Sequence, residues 1–147
     1  MLIYLPNENL SPGIHELSFG AFFQEYGLNK RRKDLITGLL KAAAALKDCG
    51  CSILYVDGSF VSKKIDPGDY DACYDPSGMD FAKMFKKYPV FFDNSPGRKN
   101  LKLVYGGELF STTALAAPPR SFFLEFFQRD RDGWPKGIIK LNLKELP

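Results

Sequence analysis

The residues best suited to chemistry lie between Gly58 and Asp71, in the stretch Gly58-Ser59-Phe60-Val61-Ser62-Lys63-Lys64-Ile65-Asp66-Pro67-Gly68-Asp69-Tyr70-Asp71. An apolar run ends in Gly58-Ser59, and two aspartates separated by one residue close the stretch. On a strand, positions i and i+2 share a face, so Asp69 and Asp71 would stand side by side. Like charges at that separation repel and raise each other's pKa unless a cation lies between them. Magnesium answers that need, because it takes oxygen ligands and is commonly held by carboxylates together with substrate phosphates. Gly58 has no Cβ, so a phosphate can approach its backbone. Ser59 adds a hydroxyl and an N–H at the start of a helical turn. Paired acids beside a phosphate cradle suit phosphoryl or nucleotidyl transfer.

Elements must hold these residues in place, and the pattern of the chain supplies them. Residues 1–17 read as an extended lead-in, punctuated by Pro6, Pro12 and Gly13. Ser18 caps a predicted helix over Phe19–Tyr26, which Gly27 ends. Asn29 caps a second over Lys30–Asp48, with Leu35, Ile36, Leu39, Leu40, Ala43 and Leu46 as its apolar stripe. Its first turn carries Lys30-Arg31-Arg32-Lys33, the wrong charge for that end of a helix dipole. The run reads as a solvated turn or as an anion or partner contact. Ser52–Val56 reads as a buried strand, Asp69–Tyr74 as the next, and Asp80–Tyr88 as a helix. Leu101–Tyr105 reads as a third strand, interrupted by Gly106-Gly107 before Glu108-Leu109-Phe110. A helix around Arg120–Gln128 and a last strand over Gly137–Leu143 complete the set. Strands alternating with helices predict an α/β (α+β) fold, a small mixed sheet flanked by helices in one domain spanning 1–147.

The Gly58-Ser59 turn, the nine residues after it and Asp69-Tyr70-Asp71 together resemble the nucleotidyltransferase superfamily related to DNA polymerase β, in its minimal, antitoxin-type members. Further pieces, Pro12–His15, Asp57–Phe60, Tyr105–Phe110 and Phe126–Arg131, are similar to a group of small uncharacterised bacterial and phage proteins. The first resemblance implies a nucleotidyltransferase-like fold. It also implies two magnesium ions, an NTP substrate such as ATP, and transfer of NMP to a protein or RNA hydroxyl, in a toxin–antitoxin or phage-defence setting. It assigns Asp69 and Asp71 to metal and catalysis, and Gly58 and Ser59 to the triphosphate. Lys63 stands where many minimal members have glycine and would add a cation near the phosphates. The third acid is Glu108, with Asp130 as second choice. The departures at Lys63 and Glu108 keep a different class open, a catalytically silent module of the same fold that neutralises a protein partner.

Composition narrows the setting. At 147 residues one domain is expected. Apolar and charged shares of 45% and 25% exclude disorder and coiled coil. The apolar run inside Gly38–Leu46 is broken by Lys41, so no membrane span is expected, and the N-terminus lacks the features of a signal peptide. A net charge of +3 does not announce a large nucleic-acid footprint. Cys49, Cys51 and Cys73 suggest a reduced, cytoplasmic protein rather than a disulfide framework; a zinc site would need all three together with His15. His15, remote in sequence from the acids, reads as a surface or packing residue. Phe122, Phe123, Phe126 and Phe127 read as core or interface. Trp134 reads as packing; exposed, it would anchor a partner. In so short a chain, acceptor choice would fall to the lead-in, the aromatic C-terminal segment or a separate partner.

Overall fold

A computed structural model describes residues 2–117 and 121–146. Five strands form one mixed sheet in the order β1-β7-β2-β3-β4, built from β1 (Gly13–Leu17), β2 (Ile53–Asp57), β3 (Tyr70–Tyr74), β4 (Gly107–Ser111) and β7 (Gly137–Asn142). β1 runs parallel to β7 and β3 parallel to β4, while β2 is antiparallel to both of its neighbours. This is the α+β architecture expected from the sequence. The lead-in is more than extended chain, because its end forms the edge strand β1. A separate two-stranded piece pairs β5 (Leu115–Ala117) with β6 (Ser121–Phe122). The expected helix around Arg120–Gln128 reduces to α5 (Phe123–Phe126), and Arg120 lies outside the described residues.

α1 (Phe19–Tyr26) and α2 (Lys30–Asp48) form where their caps dictate. The Ser18 hydroxyl accepts from the Ala21 N–H, and the Asn29 side chain accepts from the Arg32 N–H. Each satisfies a donor that the first helical turn leaves unpaired. α2 buries Leu35, Ile36, Leu39 and Leu46 in one cluster with Leu54, Val56, Tyr70, Ala72, Leu109, Ile139 and Leu141 from one face of the sheet. α3 (Phe81–Lys87) is capped by Asp80 and buries Met84.

The expected strand over Leu101–Tyr105 is a helix, α4 (Lys99–Tyr105), and this corrects the sequence reading. Leu101 and Tyr105 are buried while Leu103 is 81% exposed. The core therefore takes an i, i+4 pair, and the apparent alternation of Leu101, Leu103 and Tyr105 was not a strand period. Gly106, at φ 82°, takes the left-handed conformation that ends α4, and its N–H donates to the Lys102 carbonyl.

The opposite face of the sheet carries Tyr55, Cys73, Phe110 and Ile138. It is covered at one end by Phe123, Leu124 and Phe127 of the C-terminal segment. The Phe110 and Phe123 rings stack at 3.9 Å. The four-phenylalanine cluster is thus partly core, while Phe122 and Phe126 remain exposed. Beyond these rings the same face carries the acids Asp57, Asp71 and Glu108.

Candidate functional site

Register brings the acids together. Asp57 opposes Asp71, and Asp71 opposes Glu108, on the adjacent strands β2, β3 and β4. Facing residues on neighbouring strands lie about 5 Å apart and point the same way, so three carboxylates form a row across the sheet. Asp69 lies just before β3, close enough for its charge to act on Asp71, and it shares Lys102 with Glu108. Asp57 and Asp71 line a cleft of 630 Å³ roofed by residues 125–136.

Gly58 turns the chain out of β2 at φ 83°, ψ −171°, a conformation that L side chains rarely adopt. A Cβ there would stand 2.7 Å from Asp71 Oδ2. The glycine therefore serves both the turn and the seating of the carboxylate. Gly58→Ala is expected to cost about 1–3 kcal/mol and to displace Asp71; chemical denaturation read against the wild type measures it. The exposed Ser59 opens a single 3-10 turn, while Phe60 and Val61 are buried and anchor it. The Phe60 ring packs against those of Phe22 and Tyr26 at 5.8 and 5.9 Å.

Two of the four basic residues at the start of α2 have a role that neither sequence reading foresaw. Arg32 is 2% exposed. Its guanidinium donates to the carbonyls of Phe60 at 2.7 Å, Ser62 at 3.0 Å and Lys64 at 3.1 Å. Arg31 donates to the carbonyls of Pro67, at 3.1 Å, and Gly68. Together they clamp the loop between Ser59 and Asp69. Lys63 does not reach the acids: its Nζ lies over the Tyr4 ring at 4.4 Å and it lines a separate 190 Å³ pocket.

The electrostatics are those of crowded acids. Burial pushes the Asp57 carboxyl up to about 7, with Lys136 and the Gly58 N–H opposing the shift. Burial, then the charges of Asp69 and Glu108, push Asp71 up to about 6. Lys136 Nζ lies 3.4 Å from Asp57 Oδ2, yet Asp57 Oδ1 is buried with no hydrogen-bond partner. Lys102 Nζ lies 3.6 Å from Asp69 and 3.9 Å from Glu108, so it faces the acids.

A carboxyl with a raised pKa takes up a proton on folding at intermediate pH. Its charge therefore carries no penalty below the unfolded value, 3.8, and a growing one up to about 7. Without added metal, Asp57→Asn removes that penalty. The melting-temperature advantage of Asp57→Asn over the wild type is expected to widen between those two pH values and to level off above them; thermal melts across that range in chelator measure it.

Among the described residues no three His, Cys, Asp or Glu side chains converge closely enough to hold an ion as they stand. The donor chemistry nevertheless suits a hard dication: an all-oxygen set, mutually repelling, with one buried carboxylate oxygen unpartnered. Of the two choices for a third acid, Glu108 stands in register with Asp71. Asp130 lines the cleft, but its Oδ1 accepts from the N–H groups of Asp132 and Trp134. His15 Nε2 is bonded to the Ser11 carbonyl, and its register opposite Ile139 puts it on the other face of the sheet. The three cysteines are buried free thiols. Sequence reading missed Asp57, Lys136 and Lys102 as members of the site. The Asp57-Gly58-Ser59 triplet was visible, but it signalled a strand end and gave no sign of a cross-strand partner.

Residues 4–142 match the family of unknown function DUF6932, and the chain belongs to that family. No curated protein and no solved structure matches it. No helix among the described residues is long and apolar enough to cross a membrane.

Proposed function

We propose that this DUF6932 member is a divalent-metal-dependent nucleotidyltransferase that moves a nucleoside monophosphate from a triphosphate such as ATP to a hydroxyl. The observation that carries this reading is the carboxylate row Asp57, Asp71 and Glu108 on adjacent strands, with Asp57 and Asp71 lining a cleft and the Gly58-Ser59 turn following directly on Asp57. Asp69, Asp71 and Glu108 are the residues that would hold magnesium. Bound there, the metal supplies positive charge to the phosphate oxygens and to the attacking oxygen. The Ser59 hydroxyl and the N–H groups of its turn bind phosphate oxygens. The acceptor oxygen bonds to the α-phosphorus, the bond to the β-phosphate oxygen breaks, and pyrophosphate leaves. The hydroxyl proton passes to a carboxylate outside the metal set; Asp57, with its pKa raised to about 7 by burial, is suited to take it.

A second reading is supported by the lysines. Lys102 and Lys136 already place cations against Asp69, Glu108 and Asp57, which a catalytically silent binding module would need and an enzyme would have to open. Thermal shift separates the two. The enzyme reading expects stabilisation only with ATP and magnesium together, about 2.7 kcal/mol at a hundredfold excess over Kd. No shift under that condition favours the silent module.

A further inference from the structure

The acid cleft is one end of a longer groove. It shares Glu125, Arg129 and Lys136 with an adjoining cleft of 400 Å³. That cleft in turn shares Pro12 and Pro135 with an apolar hollow of 510 Å³ that bears Trp134. Along the groove the chemistry changes in order, from carboxylates to a stretch where Arg129 and Lys136 stand with the single acid Glu125, and then to an exposed aromatic ring.

Trp134 is 68% exposed, and its exposure is built in. Asp130 Oδ1 accepts from the N–H groups of Asp132 at 2.9 Å and Trp134 at 3.0 Å. The Asp130 N–H donates to the Trp134 carbonyl at 2.9 Å, and Arg129 Nη1 donates to the Gly133 carbonyl at 2.9 Å. These bonds fix the backbone that carries the indole, so stacking on the ring has little backbone freedom to remove.

We propose that this groove binds single-stranded nucleic acid, with a base stacked on Trp134 and the adjoining phosphates on Arg129 and on Lys136, which would turn from Asp57 to the phosphate. Aromatic platforms beside cations are the general means of holding single strands, since every base has a π-face and every linkage a charge. The order along the groove also fits a strand whose terminal sugar hydroxyl reaches the acids. That last point rests on the transferase reading; the binding itself does not. A proline-rich peptide would fill the hollow formed by Pro6, Pro12 and Trp134 but would offer nothing anionic to Arg129 and Lys136, so the charges favour the nucleic acid.

Trp134 is the sole tryptophan, so fluorescence excited beyond the tyrosine absorption band reports this site alone. Titrating the full chain with a short single-stranded oligoribonucleotide, at low salt and without nucleotide or magnesium, should quench it saturably. By anisotropy of the end-labelled oligonucleotide, Trp134→Ala should bind about tenfold more weakly or worse, while Trp134→Phe should keep most of the affinity. Arg129→Gln with Lys136→Gln should flatten the salt dependence. Replacing Asp69 and Asp71 should leave binding as tight or tighter. Binding by that acid variant alongside a wild type that shows no transfer would sink the transferase reading and leave the groove standing. An absent quench, undiminished binding by Trp134→Ala, or saturable quenching by a proline-rich peptide in place of the oligonucleotide would overturn the groove proposal.

Discussion

Replacing Asp69 and Asp71 together with alanine is expected to lower label transfer from α-labelled ATP by roughly 1,000-fold or more, the upper scale on which losing one charge-stabilising group acts, without unfolding the protein. The two parts of this prediction have different origins. Transfer should fall because both acids belong to the set that would hold the metal, and Glu108 would be the single member of that set left. The fold should survive because neither carboxylate holds the sheet together. Asp71 is raised to about 6 chiefly by burial, so at neutral pH its charge opposes folding. Asp69 contributes one pair with Lys102, both about 40% exposed, and such pairs add little. In chelator at neutral pH the double variant should therefore melt at or above the wild-type temperature. Transfer at the wild-type rate would refute the catalytic assignment. A melting temperature well below wild type would mean that the acids are structural and that lost transfer says nothing of chemistry. The wild type should gain stability from magnesium with ATP, and the double variant should not. Function at this site would thus be held at a cost in stability.

Why some of this was legible in the sequence, and some not, follows from the range of each interaction. Ser18, Asn29 and Asp80 cap helices through donors three residues away, and a local signal suffices for that. The period of a strand alone predicts Asp69 beside Asp71; β3 begins at Tyr70, so Asp69 sits just outside it, near enough for its charge to raise the Asp71 pKa. Glu108 is reached from the sequence only through the superfamily resemblance, whose third acid falls on a later strand; no local pattern puts it beside Asp71. Asp57 and Lys136, 3.4 Å apart, are brought together only by the return of β7 beside β2, which no local pattern encodes. The Leu101–Tyr105 segment was misread because five residues with apolar side chains at first, third and fifth positions satisfy a strand, while the first and fifth alone satisfy a helix. The choice was made by tertiary burial, since Leu103 points to solvent and the chain turns at Gly106. Trp134 was read as packing because large rings usually are; what exposes it is a set of bonds within residues 129–134, visible only once that turn is built.

The basic turn at the start of α2 yields the second large effect. Arg32→Met is expected to destabilise the protein by about 2–4 kcal/mol and to loosen the segment between Ser59 and Asp69. A row of cations at a helix N-terminus is unfavourable to the dipole, so its retention needs a compensating role. Arg32 has one: it is buried over the Phe60 ring, at 5.0 Å, and its fork satisfies three loop carbonyls. Methionine matches its bulk but leaves the Phe60 carbonyl without that donor in the core. Arg32→Lys should fare little better, since one ammonium cannot reach carbonyls spread across the fork. Lys30 and Lys33 make no such contacts; Lys30 pairs only with Asp34 at the surface. Their replacement by glutamine should change stability by less than about 0.5 kcal/mol. Hydrogen exchange separates a local from a global effect. If Arg32 is the clamp, amides of residues 60–68 should exchange faster in Arg32→Met while those of β2, β3 and β7 keep their order of protection. Uniform acceleration across the sheet would mean that Arg32 supports the core rather than the loop. Because this loop joins the Ser59 turn to Asp69, its loosening should also weaken the stabilisation by ATP with magnesium. That loss should exceed what the fall in stability alone accounts for, since a phosphate-binding turn and its paired acids act together only when their separation is fixed.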